Sequence, residues 1–321
     1  MAEAVYRAVT REEEPEAMRL WTQVFNVPEG FFQTLLDVEE DRSLAQTRVA
    51  VCDGKIVSGL QFFYRDVRGL DGATSRMGGI ANVATFEDAR KCGHSGRLLQ
   101  DAIEQMERDG CAWSMLFTGV NQHYARYGWK TVKTRSRKGN LRAGTRSGSG
   151  KYTVGALGHL LSEHLPELKV IHDEFDRSRP LSMVRSLRAW ETAVYYRMGP
   201  ESNSVVYTAK LDGATVAYAV VKREAEISLN EIGCRTGHER ALLDIMDGIR
   251  ADEAAKGGTV AHLWIPFDAV GDSCVEALVE GVETLEHGYV MARPIGTSMS
   301  MEDVEALFEA PEAIYWQLDN F

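Results

Sequence analysis

Residues 80–106 read IANVATFEDARKCGHSGRLLQDAIEQM, and this stretch decides the fold. Ile80–Thr85 is β-rich, Arg90–Gly96 forms a loop with two glycines, and apolar residues then recur at helical spacing over Gly96–Asp109. A strand that runs through glycines into a helix start leaves unpaired N–H groups at the helix N-terminus, with the helix dipole behind them. Such a site suits a pyrophosphate, and glycines let the backbone approach it closely. An ordinary strand–loop–helix connection, with glycines serving only as turn residues, reads equally well from this stretch alone. No GKS or GKT triplet follows and the loop is not GxGxxG, so Walker-loop and dinucleotide-fingerprint proteins lose ground.

Working outward, Val5–Val9 reads as a short strand. Glu12–Phe25 reads as a helix behind Thr10 as N-cap, with Ala17, Leu20, Trp21 and Val24 on one face, and a second helix follows Pro28. Arg48–Cys52 and Lys55–Tyr64 form a hairpin around Asp53-Gly54, because both central turn positions need φ > 0. Ser75–Thr85 is a further strand, Ala112–Thr118 a buried strand and Gln122–Tyr127 a short helix. Arg135–Lys151 has almost no apolar residues and reads as a linker or mobile loop, either solvated or touching an anionic ligand.

Beyond it the order of elements repeats. Helices Val154–Leu165 and Leu181–Tyr195 are followed by a hairpin of Val205–Leu211 and Thr215–Lys222 around Asp212-Gly213. Strand Ile227–Gly233, helix His238–Lys256, strand Val260–Ile265 and a helix near Cys274–Glu280 come next. A strand at Gly288–Ala292 and a helix at Met301–Phe308 lead into the tail APEAIYWQLDNF. A duplicated α/β unit is the economical expectation.

Composition excludes several classes. At 321 residues, 44% apolar and 26% charged, the chain is globular and long enough for two domains. No apolar run reaches the roughly 18 residues of a spanning helix, and the N-terminus lacks a signal-peptide pattern, so a cytoplasmic protein with no membrane partner is expected. Five widely spaced cysteines without CxxC spacing read as reduced thiols, with no metal site. A net charge of −11 disfavours nucleic acid, serves solubility and leans weakly toward cationic ligands.

Val83-Ala84-Thr85 followed by Arg90-x-x-Gly93-x-Ser95 resembles the acyl-CoA motif of the GNAT acetyltransferases, with Ser95 standing where that family has Gly or Ala and Gly96 directly after it. Asn121 to Trp129, NQHYARYGW, is similar to the same family's Asn…Tyr-x-x-x-Gly-aromatic segment. The resemblance implies an α/β fold (α+β, mixed sheet) of tandem GNAT-like domains, the second degenerate. It implies acetyl-CoA as cosubstrate, bound around Val83, Thr85, Arg90, Lys91, Cys92, Gly93, His94, Ser95, Gly96 and Asn121. Tyr124 then takes the general-acid position, where a phenol of ordinary pKa about 10 protonates the departing thiolate. Its structural alternative is a helix tyrosine packed on the sheet; His123 adjoins the site with no required role.

The two-unit layout, Arg126-Tyr127-Gly128-Trp129 and Asp176–Pro180 are similar to the enhanced-intracellular-survival acetyltransferases. That resemblance implies a catalytic domain over 1–145, a degenerate one over 146–300, and a C-terminal helix and tail over 301–321 whose carboxylate at Phe321 acts as base; the alternative is that Tyr315, Trp316 and Leu318 only seal the core and leave the terminus in solvent. In the second unit Gly233–Arg240 lacks the key glycine, and Glu239 would oppose a pyrophosphate. The acceptor is expected to be a polyamine, an aminoglycoside-like polycation, another small amine or a lysine side chain, and homo-oligomers are left open. The competing functions are a catalytically attenuated, CoA-responsive binding or regulatory protein, and an unrelated α/β protein with a chance loop match.

Overall fold

The computed structural model describes residues 3–28, 30–39, 42–144, 149–157, 160, 162–199 and 202–321. The first half runs β1 (Val5–Ala8), α1 (Glu14–Phe25), α2 (Phe31–Asp37), β2 (Thr47–Cys52), β3 (Lys55–Arg68), β4 (Thr74–Thr85), α3 (His94–Arg108), β5 (Trp113–Phe117), α4 (Asn121–Ala125) and β6 (Lys130–Leu141). The second runs β7 (Thr153–Leu157), α5 (Leu165–Phe175), α6 (Leu187–Ala189), a π turn at Trp190–Val194, α7 (Tyr195–Met198), β8 (Ser204–Leu211), β9 (Ala214–Arg223) and β10 (Ile227–Cys234). It continues through α8 (Glu239–Ala254), β11 (Val260–Leu263), α9 (Ala269–Leu278), β12 (Val279–Pro294) and α10 (Met301–Glu309). Both expected hairpins form on left-handed pairs, Asp53-Gly54 at φ 48° and 74° and Asp212-Gly213 at φ 51° and 86°.

The helix expected over Leu181–Tyr195 begins only at Leu187, because Met183 and the Val184 amide are bridged to β3 instead; two other expectations fail for identifiable reasons. Residues 135–141 are not a linker but the end of β6, deep in the sheet. Their charges are matched from afar: buried Arg137 bonds Asp272 and the Pro266 carbonyl, Lys138 pairs with Glu226, and Ser136 bonds His287. The polar, glycine-rich pattern thus hides a strand whose partners lie elsewhere in the sequence; residues 145–148 of that expectation lie outside the described residues. Val154–Leu157 is an edge strand rather than a helix start, paired with β8 from Thr153↔Lys210 to Leu157↔Val206.

The described strands form one sheet of twelve, ordered β1-β2-β3-β4-β5-β12-β6-β11-β10-β9-β8-β7. Neighbours are antiparallel except β4∥β5 and β10∥β11. The sixth strand of each half has changed places: β12 lies beside β5, and β6 beside β11. A pseudo-twofold therefore passes between β6 and β12, and each half depends on a strand from the other. The repeat extends to side chains, since Tyr6 bonds His94 at the start of α3 (2.9 Å) and Tyr152 bonds His238 at the start of α8 (3.2 Å).

On one face of the first half, α3 packs Leu98, Leu99, Ala102 and Met106 onto Leu60, Phe62, Ile80 and Leu116. On the other, α1 and α2 cover Val49, Val51 and Ile56. Beyond their reach, that second face of β3–β5 is covered by Leu181, by Val304, Leu307 and Phe308 of α10 and by the C-terminal tail.

Candidate active site

The site begins with a divergence of strands. β4 and β5 are paired only from Met77↔Trp113 to Ile80↔Leu116. Past that point β4 follows β3 to Thr85, with a bulge between Ala81 and Ala84 where Asn82 takes φ 54° and bonds Gln61 at 2.6 Å. The chain leaving β5 turns the other way, where the Thr118 amide bonds the Tyr289 carbonyl of β12 at 2.7 Å. A wedge opens between the two strands, with Val83 and Thr85 on its β4 side. The Thr85 hydroxyl is held by Ser58 at 2.7 Å, so Thr85 offers its backbone to the wedge.

From the wedge the chain passes through exposed Arg90, Lys91, Cys92 and Gly93 into α3. Lys91 at φ 65° and Gly93 at φ 83° turn the loop, and Gly93 occupies the N-cap position with no side chain capping the helix. The Arg97 amide bonds the Gly93 carbonyl, which leaves the amides of the turn before it outside the helical ladder. No acidic residue stands in this first turn. Loop and helix start thus present free amides at the positive end of the helix dipole. The side chains divide: His94 turns inward to Tyr6, Ser95 lies 3.4 Å from His123 Nε2, and Gly96 faces the Tyr127 hydroxyl so closely that a Cβ has no room. Gly96 therefore lets α3 seat against Tyr127.

Asn121 opens α4, but its amide is engaged by Thr131 (2.7 Å) and the Gly288 carbonyl (2.8 Å), so its side chain ties α4 to β6 and β12. Tyr124 is buried, packs edge-on to Trp129, and shares a cluster with Ile80, Leu98 and Leu116 at the wedge. Burial pushes its phenol pKa up, with the Thr118 hydroxyl pulling partly back. His123 is pushed down by burial and by Arg126, and so is neutral near pH 7.

The tail reaches the same place from the other half. Trp316 is fully buried and donates to Asp176 at 2.8 Å, Leu318 is buried against α5 and the π turn, and Asp319 bonds Arg185 at 2.7 Å. These anchors deliver the Phe321 ring onto Gly79 of β4, 5.3 Å from the Phe117 ring. Successive strand residues face opposite sides: a Cβ on Gly78 would meet Met106 of α3, and one on Gly79 would strike the Phe321 ring. Sequence reading missed Gly78-Gly79; the available signal was a glycine pair inside a strand, which marks close approach of another element.

The corresponding loop of the second half is already filled. Glu174 accepts from the Thr236 amide (2.9 Å) and Arg235, and Glu239 accepts from the Gly237 amide (3.0 Å). Those hydrogen bonds, Thr236 first, hold the Glu174 carboxyl down to about 2. Among the described residues no group of His, Cys, Asp and Glu is placed to hold a metal ion, and no helix is long and apolar enough to cross a membrane.

Comparison with known proteins agrees with this architecture. An acetyltransferase (GNAT) domain model matches residues 5–132. A GCN5-related N-acetyltransferase from Anabaena variabilis aligns with 92% of this chain and 73% of its own at 14% identity and TM-score 0.73. Eis1 from Mycobacterium abscessus covers 95% of this chain and 75% of its own at 13% identity and TM-score 0.64. N-myristoyltransferase from Saccharomyces cerevisiae, with bound myristoyl-CoA, covers 92% and 83% at 10% identity and TM-score 0.58. At these identities the likeness is one of fold, a mixed α/β sheet of tandem GNAT-like units. A search of the curated proteins finds no match.

Proposed function

As an acyltransferase carrying a GNAT acetyltransferase domain over residues 5–132, this chain, we propose, moves an acetyl group from acetyl-CoA to a primary amine by direct attack. The observation that carries the reading is the contrast between the two loops. Among the described residues no acidic side chain stands in the first turn of α3, whereas the amides before α8 are taken by Glu174 and Glu239. We therefore assign the donor to the first unit alone and treat the second as its degenerate partner, one that supplies β12 and anchors the tail.

The backbone of Val83 and Thr85 lines the wedge for the pantetheine arm, and the loop from Arg90 to Gly96 holds the pyrophosphate. The amine nitrogen attacks the thioester carbon, the C–N bond forms, and the C–S bond breaks. Tyr124 gives its proton to the departing sulfur, and the proton lost by the ammonium goes to a base at the wedge. The resemblance gives that role to the Phe321 carboxylate, and the Phe321 ring lies on Gly79.

Calorimetric titration with acetyl-CoA is expected to give one site per chain. Gly93→Asp should weaken binding about tenfold or more, since a carboxylate at a helix N-terminus opposes the anion. Gly93→Asn is the control: it tolerates the same left-handed backbone without the charge and should bind nearly as well as the parent. Two sites per chain, or equal affinities for the Asp and Asn variants, would remove the assignment.

Gly79→Ala tests the tail. Displacing the Phe321 ring should leave acetyl-CoA affinity in place and lower kcat, up to the roughly 10²-fold that a 1 Å misplacement costs. Unchanged kcat would separate Phe321 from the chemistry.

A further inference from the structure

Two clefts flank the tail, and neither suits a polycation. One has Glu39, Asp66 and Asp319 in its wall, but each carboxylate is matched there or behind it, by Arg65, Arg76 and Arg185 respectively. The other runs between β5, β6, β12 and the tail, and among the described residues no Asp or Glu side chain lines it. The acidity of the chain is thus spent elsewhere on its surface.

The second cleft has a definite chemistry. Phe117, whose ring touches that of Phe321, opens it at the wedge, and Trp264, Tyr289, Phe308 and Tyr315 continue the wall. Trp264 is braced by His287, stacked at 4.9 Å and 27°, and His287 is fixed by Ser136 at 2.8 Å. At the mouth stand two cations. Lys133 is paired with Glu286 at 3.3 Å, while exposed Arg135 lies 4.3 Å from the Phe267 ring and has no carboxylate partner among the described residues. A guanidinium steadied on an aromatic face, with its donors free, is prepared for a planar carboxylate. Flat aromatic walls favour a ring between them.

We propose that this cleft takes an amine whose aromatic body carries a carboxylate, with the ring against Phe117, Trp264 and Tyr289, the carboxylate on Arg135, and the nitrogen directed to the wedge. The proposal rests on the acyltransferase reading above and replaces the polycationic acceptor expected from the sequence.

The test compares three amines, 4-(2-aminoethyl)benzoate, phenethylamine and spermidine, by acetyl-CoA-dependent thiol release and by direct titration of each into the protein with CoA present. The expected order of kcat/KM and of affinity is benzoate, phenethylamine, spermidine. Arg135→Gln should remove about tenfold of the benzoate's advantage, the scale of a hydrogen bond to a charged group, and leave phenethylamine within about twofold. Spermidine as the preferred ligand, or a benzoate preference that survives Arg135→Gln, would overturn the proposal while a Gly93-dependent acetyl-CoA site kept the acyltransferase reading intact. Absence of that acetyl-CoA site would bring down both.

Discussion

Tyr124→Phe is expected to lower kcat by roughly 10²-fold or more, the scale of a lost general acid, while acetyl-CoA affinity stays near that of the parent. The substitution removes one oxygen and keeps the ring that packs against Trp129 and the α3 cluster, so binding and fold should survive. What is lost is a proton at the moment the thiolate leaves, an interaction made only in the transition state, and such a loss falls on kcat rather than KM. The pH dependence carries a second signature. Burial raises the phenol above its ordinary value, and the Thr118 hydrogen bond offsets only part of this. The proton is therefore present throughout the neutral range, and the alkaline loss of kcat should fall above the ordinary tyrosine pKa of about 10. The Phe variant should lack that limb. An unchanged kcat would leave Tyr124 as a packing residue, its structural alternative.

Arg185→Ala is expected to cost about 3–5 kcal/mol of stability, as when one member of a buried ion pair is removed. Arg185 bonds both oxygens of Glu231 (3.0 and 2.6 Å) and Asp319 (2.7 Å), and the side chains of all three are fully buried. Tyr218 donates to Glu231 at 2.6 Å, and Trp190 lies beneath the guanidinium at 5.2 Å. Burial alone would raise the Glu231 pKa, yet Arg185 beside it outweighs burial and holds it below the usual range. Removing the guanidinium leaves two buried carboxylates facing one another without a cation. Urea denaturation measures the loss, and adding Glu231→Gln and Asp319→Asn to Arg185→Met should recover much of it by removing the stranded charges. A loss under about 1 kcal/mol would place the cluster among ordinary surface pairs. Because Asp319 lies two residues before Phe321, the single variant should also loosen the tail and lower kcat in the fraction that stays folded.

What was legible in the sequence is what local chemistry determines. Asp53-Gly54 and Asp212-Gly213 announce their hairpins because left-handed turn positions restrict residue choice. The Ile80–Met106 stretch shows its strand, loop and helix for the same kind of reason. β6 was illegible because Arg137 and Ser136 are satisfied by Pro266, Asp272 and His287, partners more than a hundred residues away. β7 was illegible because an edge strand with exposed glycine and alanine has little apolar alternation. The exchange of β6 and β12 is a tertiary event that no window of sequence contains. In the candidate site, the loop stood out by its glycines and Tyr124 by the resemblance of Asn121–Trp129 to the GNAT segment. The Gly79–Phe321 contact could not, since it depends on how Trp316 and Asp319 are held by Asp176 and Arg185.

The central claim is that the chain turns over acetyl-CoA rather than only binding it. The most direct measurement follows free thiol and N-acetylated product together after mixing the protein, acetyl-CoA and a primary amine. The account predicts thiol release that depends on the amine, equals the N-acetyl product mole for mole, and falls with Tyr124→Phe. Saturable acetyl-CoA binding with no amine-dependent thiol release would contradict it and leave a CoA-responsive binding protein in its place.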